Sequence, residues 1–249
     1  MAAPDRSSIR RTVVLPARNE SGYIAEMVAR TIAACERRPE SFEVIVVDNA
    51  SEDATASIVS EIAARDPRVR LIVHPENRLY AGSCQTAMRA ARGERVFILD
   101  SDGQHDPADV WVFDAAMDTG LDLVFGWRRE RQEPPQRMAM SKVLLWLTKV
   151  QLGYPLHDVN CGIRGISRRY VDAVEIRHRV NFVNPELYVR ARLAGMSIGE
   201  VPVRQEARKA GVSSHDFRRL WQIFVTVERY LQALRRELRA KGAGSPASP

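Results

Sequence analysis

Short apolar runs alternate with stretches of helical periodicity along the first half of the chain. Residues 12–16 (TVVLP) and 42–47 (FEVIVV) read as strands buried on both faces, and 69–73, 95–99 and 121–125 repeat the pattern. Between them, 20–37, 51–65 and 81–92 place apolar residues at helical spacing, with Ser51 a candidate cap for the second helix. This alternation predicts an α/β fold with a mainly parallel central sheet and helices on both faces. In such sheets ligands sit at the carboxyl ends of strands. Asp48 and Asp100 each stand just past the end of an apolar run.

The pattern changes after Gly126. Residues 127–136 (WRRERQEPPQ) are charged and proline-bearing, as a mobile loop would be. Residues 137–152 read as a helix, 153–165 as a turn-rich stretch carrying Asp158, Asn160 and Cys161, 185–194 as a helix ending at Gly195, and 197–203 as a strand. The last predicted helix, 217–241, lines up Leu220, Ile223, Phe224, Val227, Leu231, Leu234 and Leu238 in one apolar stripe. Residues 1–10 and 242–249 are expected to be disordered tails. The organisation expected is a catalytic domain over 11–213, divided near 126, followed by a helix over 214–241.

Composition narrows the class without choosing a function. The chain has 249 residues, of which 45% are hydrophobic and 27% charged, as in an ordinary globular protein. Its apolar runs are far shorter than the roughly 20 residues a membrane span needs. The N-terminus has no apolar signal core, so a soluble, cytoplasmic protein is expected. Cys35, Cys84 and Cys161 are odd in number and widely spaced, matching neither a disulfide framework nor a zinc site. The net charge of +6 rests on arginine, whose planar fork suits phosphate. Nucleic acid would require a recognised module or an aromatic-basic platform, and the sequence has neither.

The sharpest chemical signal is Phe97-Ile-Leu-Asp100-Ser-Asp102-Gly-Gln104-His-Asp106-Pro107. Two carboxylates at i and i+2 beyond a strand can aim at one hard cation, Mg2+ or Mn2+, which completes its shell with phosphate oxygens and water. Gln104 offers a neutral oxygen beside them. The same residues also suit a solvated turn capping a helix that starts at Pro107. Asp48, in Val46-Val-Asp-Asn-Ala-Ser51-Glu-Asp53-Ala-Thr55, can accept hydrogen bonds from a base or ribose, or serve turn and cap chemistry. Pro16-Ala-Arg18-Asn19-Glu20 carries the same two readings.

In order and spacing these segments resemble family-2 glycosyltransferases of the GT-A fold. Gly126-Trp-Arg128, Arg137-x-x-x-Ser141, Asp158-x-Asn-Cys161-Gly-Ile-Arg164, Glu200-Val-Pro-Val203 and Arg208-x-x-Gly211-x-Ser213 look like the dolichol-phosphate mannosyltransferase group and its bacterial polyprenyl-phosphate relatives. The resemblance implies inverting transfer of a hexosyl group from a nucleotide sugar to a polyprenyl phosphate. It places Pro16, Arg18, Glu20 and Asp48 at the nucleotide and Asp100, Asp102 and Gln104 on the metal. Arg128, Arg137 and Ser141 fall to the acceptor phosphate, and Arg208 to the donor diphosphate. Two segments depart from the family: the usual glycine-rich stretch after Asn77 here reads Leu79-Tyr-Ala81-Gly82-Ser-Cys84, and Ser213 is followed by Ser214 and His215 where lysine or arginine is usual.

A phosphate acceptor is already a nucleophile at neutral pH, its second pKa being near 6, so no catalytic base is needed. The alternative is a soluble small-molecule acceptor, whose hydroxyl would require a base such as Asp158 or Glu186. The helix over 137–152 sets Met138, Val143, Leu144, Trp146, Leu147 and Val150 beside Lys142 and Lys149, and the last helix mixes aromatic and basic residues in the same way. Both fit a peripheral membrane contact; packing on the domain or across a homodimer fits them equally.

Overall fold

The structure is a computed structural model and describes residues 9–129, 135–205 and 220–240. Strand β1 (Arg11–Ala17) lies between β2 (Phe42–Asp48) and β4 (Arg95–Leu99), parallel to both, and β3 (Val69–Val73) extends the sheet beyond β2. On the other side β6 (Ile163–Ser167) runs antiparallel between β4 and β5 (Leu123–Arg128), and β7 (Ile198–Val203) pairs parallel with β5. The order is β3-β2-β1-β4-β6-β5-β7.

Period-2 alternation divides each central strand between two cores. Val13, Leu15, Val44, Val46, Phe97 and Leu99 face α1 (Ile24–Cys35), α2 (Thr55–Arg65) and α4 (Val110–Met117). Val14, Ile45, Val47, Val96 and Ile98 face α3 (Leu79–Ala90), α7 (Asn184–Leu193) and α8 (Leu220–Ala240). All eleven of these side chains are 0% exposed, which explains why the strands read as unbroken apolar runs.

Several local expectations are corrected. The stretch read as turn-rich to Gly165 ends in the first three residues of β6. Arg164 and Gly165 interrupt its apolar pattern, and a side chain at Gly165 would come 3.0 Å from Met117 Sδ. Ser167 then caps the short α6 (Arg168–Ala173), its hydroxyl accepting from the Tyr170 N–H at 3.1 Å. Ser51 caps no helix: α2 starts at Thr55, and the Ser51 hydroxyl accepts from the Asn19 N–H at 2.9 Å. Helix α1 starts at Ile24, because residues 20–23 form a turn in which the Glu20 carbonyl accepts from both Tyr23 and Ile24.

The two amphipathic helices have different fates. Helix α8 packs on α5 (Pro135–Leu152) and α7, burying Tyr230, Leu231, Leu234 and Leu238. Among the described residues nothing covers the outer face of α5, with Val143 51%, Trp146 61% and Val150 59% exposed. Residues 1–8 and 242–249 of the predicted tails, and 130–134 of the predicted 127–136 loop, lie outside the described residues; the ends of that loop are instead the close of β5 at Arg128 and the start of α5 at Pro135.

Candidate active site

The loops at the carboxyl ends of β1, β2 and β4 are tied together by their own side chains. Asn19 and Ala50 adopt left-handed backbone (φ 55° and 57°). These conformations bring the two loops together, with the Glu52 N–H donating to Asn19 Oδ1 at 2.8 Å and the Glu20 N–H to the Thr55 hydroxyl at 2.9 Å. Asp53 accepts from the Ser21 N–H and from Thr55. Against the burial that opposes it, this bonding holds the Asp53 carboxyl at about 2. The Ser101 hydroxyl donates to the Pro16 carbonyl at 2.8 Å, fastening the Asp-x-Asp loop to the end of β1.

These loops wall a cleft of about 770 Å3, within the usual range for a small-molecule site. Pro16, Arg18, Glu20, Asp100 and Asp102 line it, so five of the sequence candidates converge. Asp48 does not line it, although the next residue, Asn49, does; Asp48 is 1% exposed, its Oδ2 accepts from the Ser51 N–H at 3.2 Å and its Oδ1 is buried without a partner. A buried acceptor without a donor costs about 1–3 kcal/mol, which a ligand N–H would recover. Asn49, on the cleft wall, is fixed by His74, whose Nδ1 lies 3.0 Å from Asn49 Oδ1.

Asp100 and Asp102 have different surroundings. The Asp100 N–H donates to the Gly162 carbonyl at 3.2 Å, and Asp100 Oδ1 accepts from the Tyr80 hydroxyl at 2.5 Å. Burial raises its carboxyl above the ordinary range, while Arg164, Tyr80 and Arg128 favour the charged form. Asp102 Oδ1 accepts from the Gln104 N–H at 3.1 Å in a tight turn. The cap before Pro107 is instead Asp106, whose Oδ1 accepts from the Ala108 N–H at 3.0 Å. The Asp-x-Asp pair is thus not needed for capping. No group of three or more His, Cys, Asp or Glu fit for a metal occurs among the described residues. Two carboxylates on a cleft suit Mg2+ or Mn2+, which bind through one or two carboxylates and take other ligands from substrate phosphate and water. All three cysteines are buried, and burial pushes their thiols up to about 12, excluding a thiolate nucleophile at neutral pH.

Of the remaining described candidates, Gln104, Arg128 and Ser141 do not line the cleft. Arg128 Nε and Nη2 bond Asp158 at 2.7 and 3.1 Å, and its side chain is 7% exposed. Ser141 sits half-buried on α5, and the Arg137 side chain and Arg208 lie outside the described residues. Glu186 is 0% exposed, accepting from the N–H groups of Arg177 and His178 and from the Arg190 guanidinium. Neither Asp158 nor Glu186 is free to act as a base. Sequence reasoning gave no role to Tyr80, Gly162 or Arg164, although the last two lie in a motif it singled out.

A mixed seven-stranded sheet with an Asp-x-Asp loop at its carboxyl edge defines the GT-A fold. The chain belongs to glycosyl transferase family 2, whose profile matches residues 12–174. It is 30% identical over 211 residues to an undecaprenyl-phosphate 4-deoxy-4-formamido-L-arabinose transferase from Enterobacter sp. (strain 638), covering 84% of this chain and 63% of that one. The corresponding Shewanella sediminis protein is 28% identical over 212 residues, covering 84% and 62%. The chain therefore spans less than two thirds of the length of these relatives.

Among solved structures, glucosyl-3-phosphoglycerate synthase from Mycobacterium tuberculosis, in complex with phosphoglyceric acid, superposes with a TM-score of 0.67 at 21% identity, covering 98% of this chain and 83% of that one. The mannosyltransferase PcManGT from Pyrobaculum calidifontis, in complex with GDP-Man and Mn2+, gives 0.60 at 20%, covering 99% and 79%. At these identities the superpositions establish the fold.

Proposed function

We propose that the protein transfers a sugar, with inversion, from a nucleoside diphosphate donor to a polyprenyl phosphate. The observation that carries this is the convergence of Pro16, Arg18, Glu20, Asp100 and Asp102 on one cleft, with the unpartnered Oδ1 of Asp48 one residue from the lining Asn49. Asp48 Oδ1 suits a base or ribose donor, with Pro16, Arg18 and Glu20 along the nucleotide. Asp100 and Asp102, with Gln104 beside them, would hold a divalent metal, which when bound neutralises charge on the leaving diphosphate. Arg208 would reach the same diphosphate, since guanidinium bonds two phosphate oxygens at once.

A phosphate nucleophile is favoured because the carboxylates considered as bases are engaged: Asp158 with Arg128, and Glu186 with Arg190 and two backbone N–H groups. Arg128, Arg137 and Ser141 are assigned to the acceptor phosphate. For Arg128 this means sharing or exchanging its Asp158 bonds with phosphate oxygens. The relatives named for undecaprenyl phosphate support the lipid acceptor. The uncovered apolar face of α5, with exposed Lys142 and Lys149 beside Trp146, is the surface we assign to the membrane carrying that lipid.

The test is transfer from a panel of nucleotide sugars to a short-chain polyprenyl phosphate with Mg2+ or Mn2+, read by mass spectrometry. Glycosylated lipid phosphate from one donor, absent with chelator and in Asp102→Ala, supports the assignment. Donor hydrolysis without lipid product, or transfer only to soluble phosphorylated acceptors, refutes the lipid acceptor.

A further inference from the structure

Arg164, the second residue of β6, is the largest fully buried side chain among the described residues, 2% exposed. A buried guanidinium without compensation costs several kcal/mol, so its partners matter. Its Nη2 donates to the Tyr80 hydroxyl at 2.8 Å and to the Cys161 carbonyl at 3.3 Å, while Nε and Nη1 are buried without partners. Tyr80 spends its own proton on Asp100 Oδ1. The guanidinium also lies 5.2 Å from the Tyr80 ring centroid. Cation, phenol and carboxylate therefore form one chain, Arg164 to Tyr80 to Asp100.

Tyr80 is itself held firmly. It follows Leu79, which has φ 59°, and its N–H donates to Asn181 Oδ1 at 3.1 Å, while the next N–H, of Ala81, donates to the Val180 carbonyl at 2.9 Å. This is one of the two segments in which the sequence departs from its family. From the other side, Gly162 closes on Asp100: a Cβ there would stand 2.1 Å from Oδ2. Oδ1 is thus committed to Tyr80, and Oδ2 lies against Gly162.

We propose that Tyr80, backed by the buried charge of Arg164, is a positioning residue that fixes the Asp100 carboxylate in the orientation the divalent cation requires. The inference rests on reading Asp100 as a metal ligand. Outer-shell partners of a ligand typically carry 10–100-fold in metal affinity. The hydroxyl orients the ligand, and the Arg164 guanidinium, donating to that hydroxyl, holds the phenol in place.

The experiment measures Mn2+ affinity by electron paramagnetic resonance, with UDP and with GDP, for wild type and Tyr80→Phe. Thermal unfolding of the metal-free proteins is recorded beside it. The expected result is a 10–100-fold weaker Mn2+ Kd in Tyr80→Phe. A Kd within twofold of wild type in a folded Tyr80→Phe overturns the inference alone. Absence of Mn2+ binding by wild type with either nucleotide overturns the metal reading as well. A double-mutant cycle with Asp100→Asn checks the link without metal. Non-additive melting shifts support the chain of bonds, and additive shifts refute it.

Discussion

Replacing Gly162 by alanine adds one methyl group where the structure has no room for it. The new Cβ would lie 2.1 Å from Asp100 Oδ2 and 2.5 Å from its Cγ. Ordinary contact begins near 3.4 Å, so the carboxylate must retreat by 3.4 − 2.1 = 1.3 Å or the backbone must move. The backbone is poorly placed to yield: the Gly162 carbonyl accepts the Asp100 N–H, and β6 begins at the next residue. Gly162 is not among the glycines with positive φ, so alanine meets no conformational penalty there. The cost therefore falls on the position of Asp100. A displacement of about 1 Å in a catalytic arrangement costs on the order of 100-fold. We expect Gly162→Ala to lower kcat/KM for sugar transfer about 100-fold and to weaken Mn2+ binding, with the fold retained by circular dichroism. Transfer and Mn2+ affinity both within threefold of wild type would refute the placement of Asp100 on the cation.

Burial and the neighbouring Asp106 push the Asp109 carboxyl up from 3.8 to about 6, only partly offset by Arg204. The fold therefore prefers protonated Asp109, whose contribution is full below about pH 4 and lost as pH rises through 6. Asp109→Asn should raise the melting temperature at pH 7.5, by at most about 3 kcal/mol of stability, and leave it nearly unchanged at pH 4; equal shifts at both pH values would contradict this. Glu186→Ala removes a wholly buried carboxylate from Arg190 and two backbone N–H groups, and should cost about 3–5 kcal/mol by denaturant unfolding. A stable Glu186→Ala protein that has lost only transfer would restore Glu186 as a candidate base. Val143→Ser with Trp146→Ser should reduce flotation with anionic phospholipid vesicles at least tenfold without changing the melting temperature. Unchanged flotation would remove α5 as the membrane surface.

The parallel half of the fold was legible because its strands are buried on both faces and each ends in a polar turn. Asp100 and Asp102 were legible for the same reason: a strand that stops at Leu99 delivers its next residues to the sheet edge. Strand β6 was hidden because its centre is Arg164-Gly165, a charge and a missing side chain, both meaningful only once Tyr80 and Met117 are seen against them. Arg128 stood out in sequence by motif alone, and its pairing with Asp158 joins residues 30 positions apart and leaves no periodic trace. The two amphipathic helices read alike in sequence. Only the packing of α8 on α5 and α7 separates the buried stripe from the exposed one.

The most direct measurement is an anomalous difference map from crystals grown with Mn2+ and the nucleoside diphosphate that binds best. A single manganese peak within coordination distance of the Asp100 and Asp102 carboxylates, with the base over Asp48, is the predicted result. Manganese absent from those carboxylates while the nucleotide occupies the cleft would contradict the assignment of Asp100 and Asp102 as the metal site.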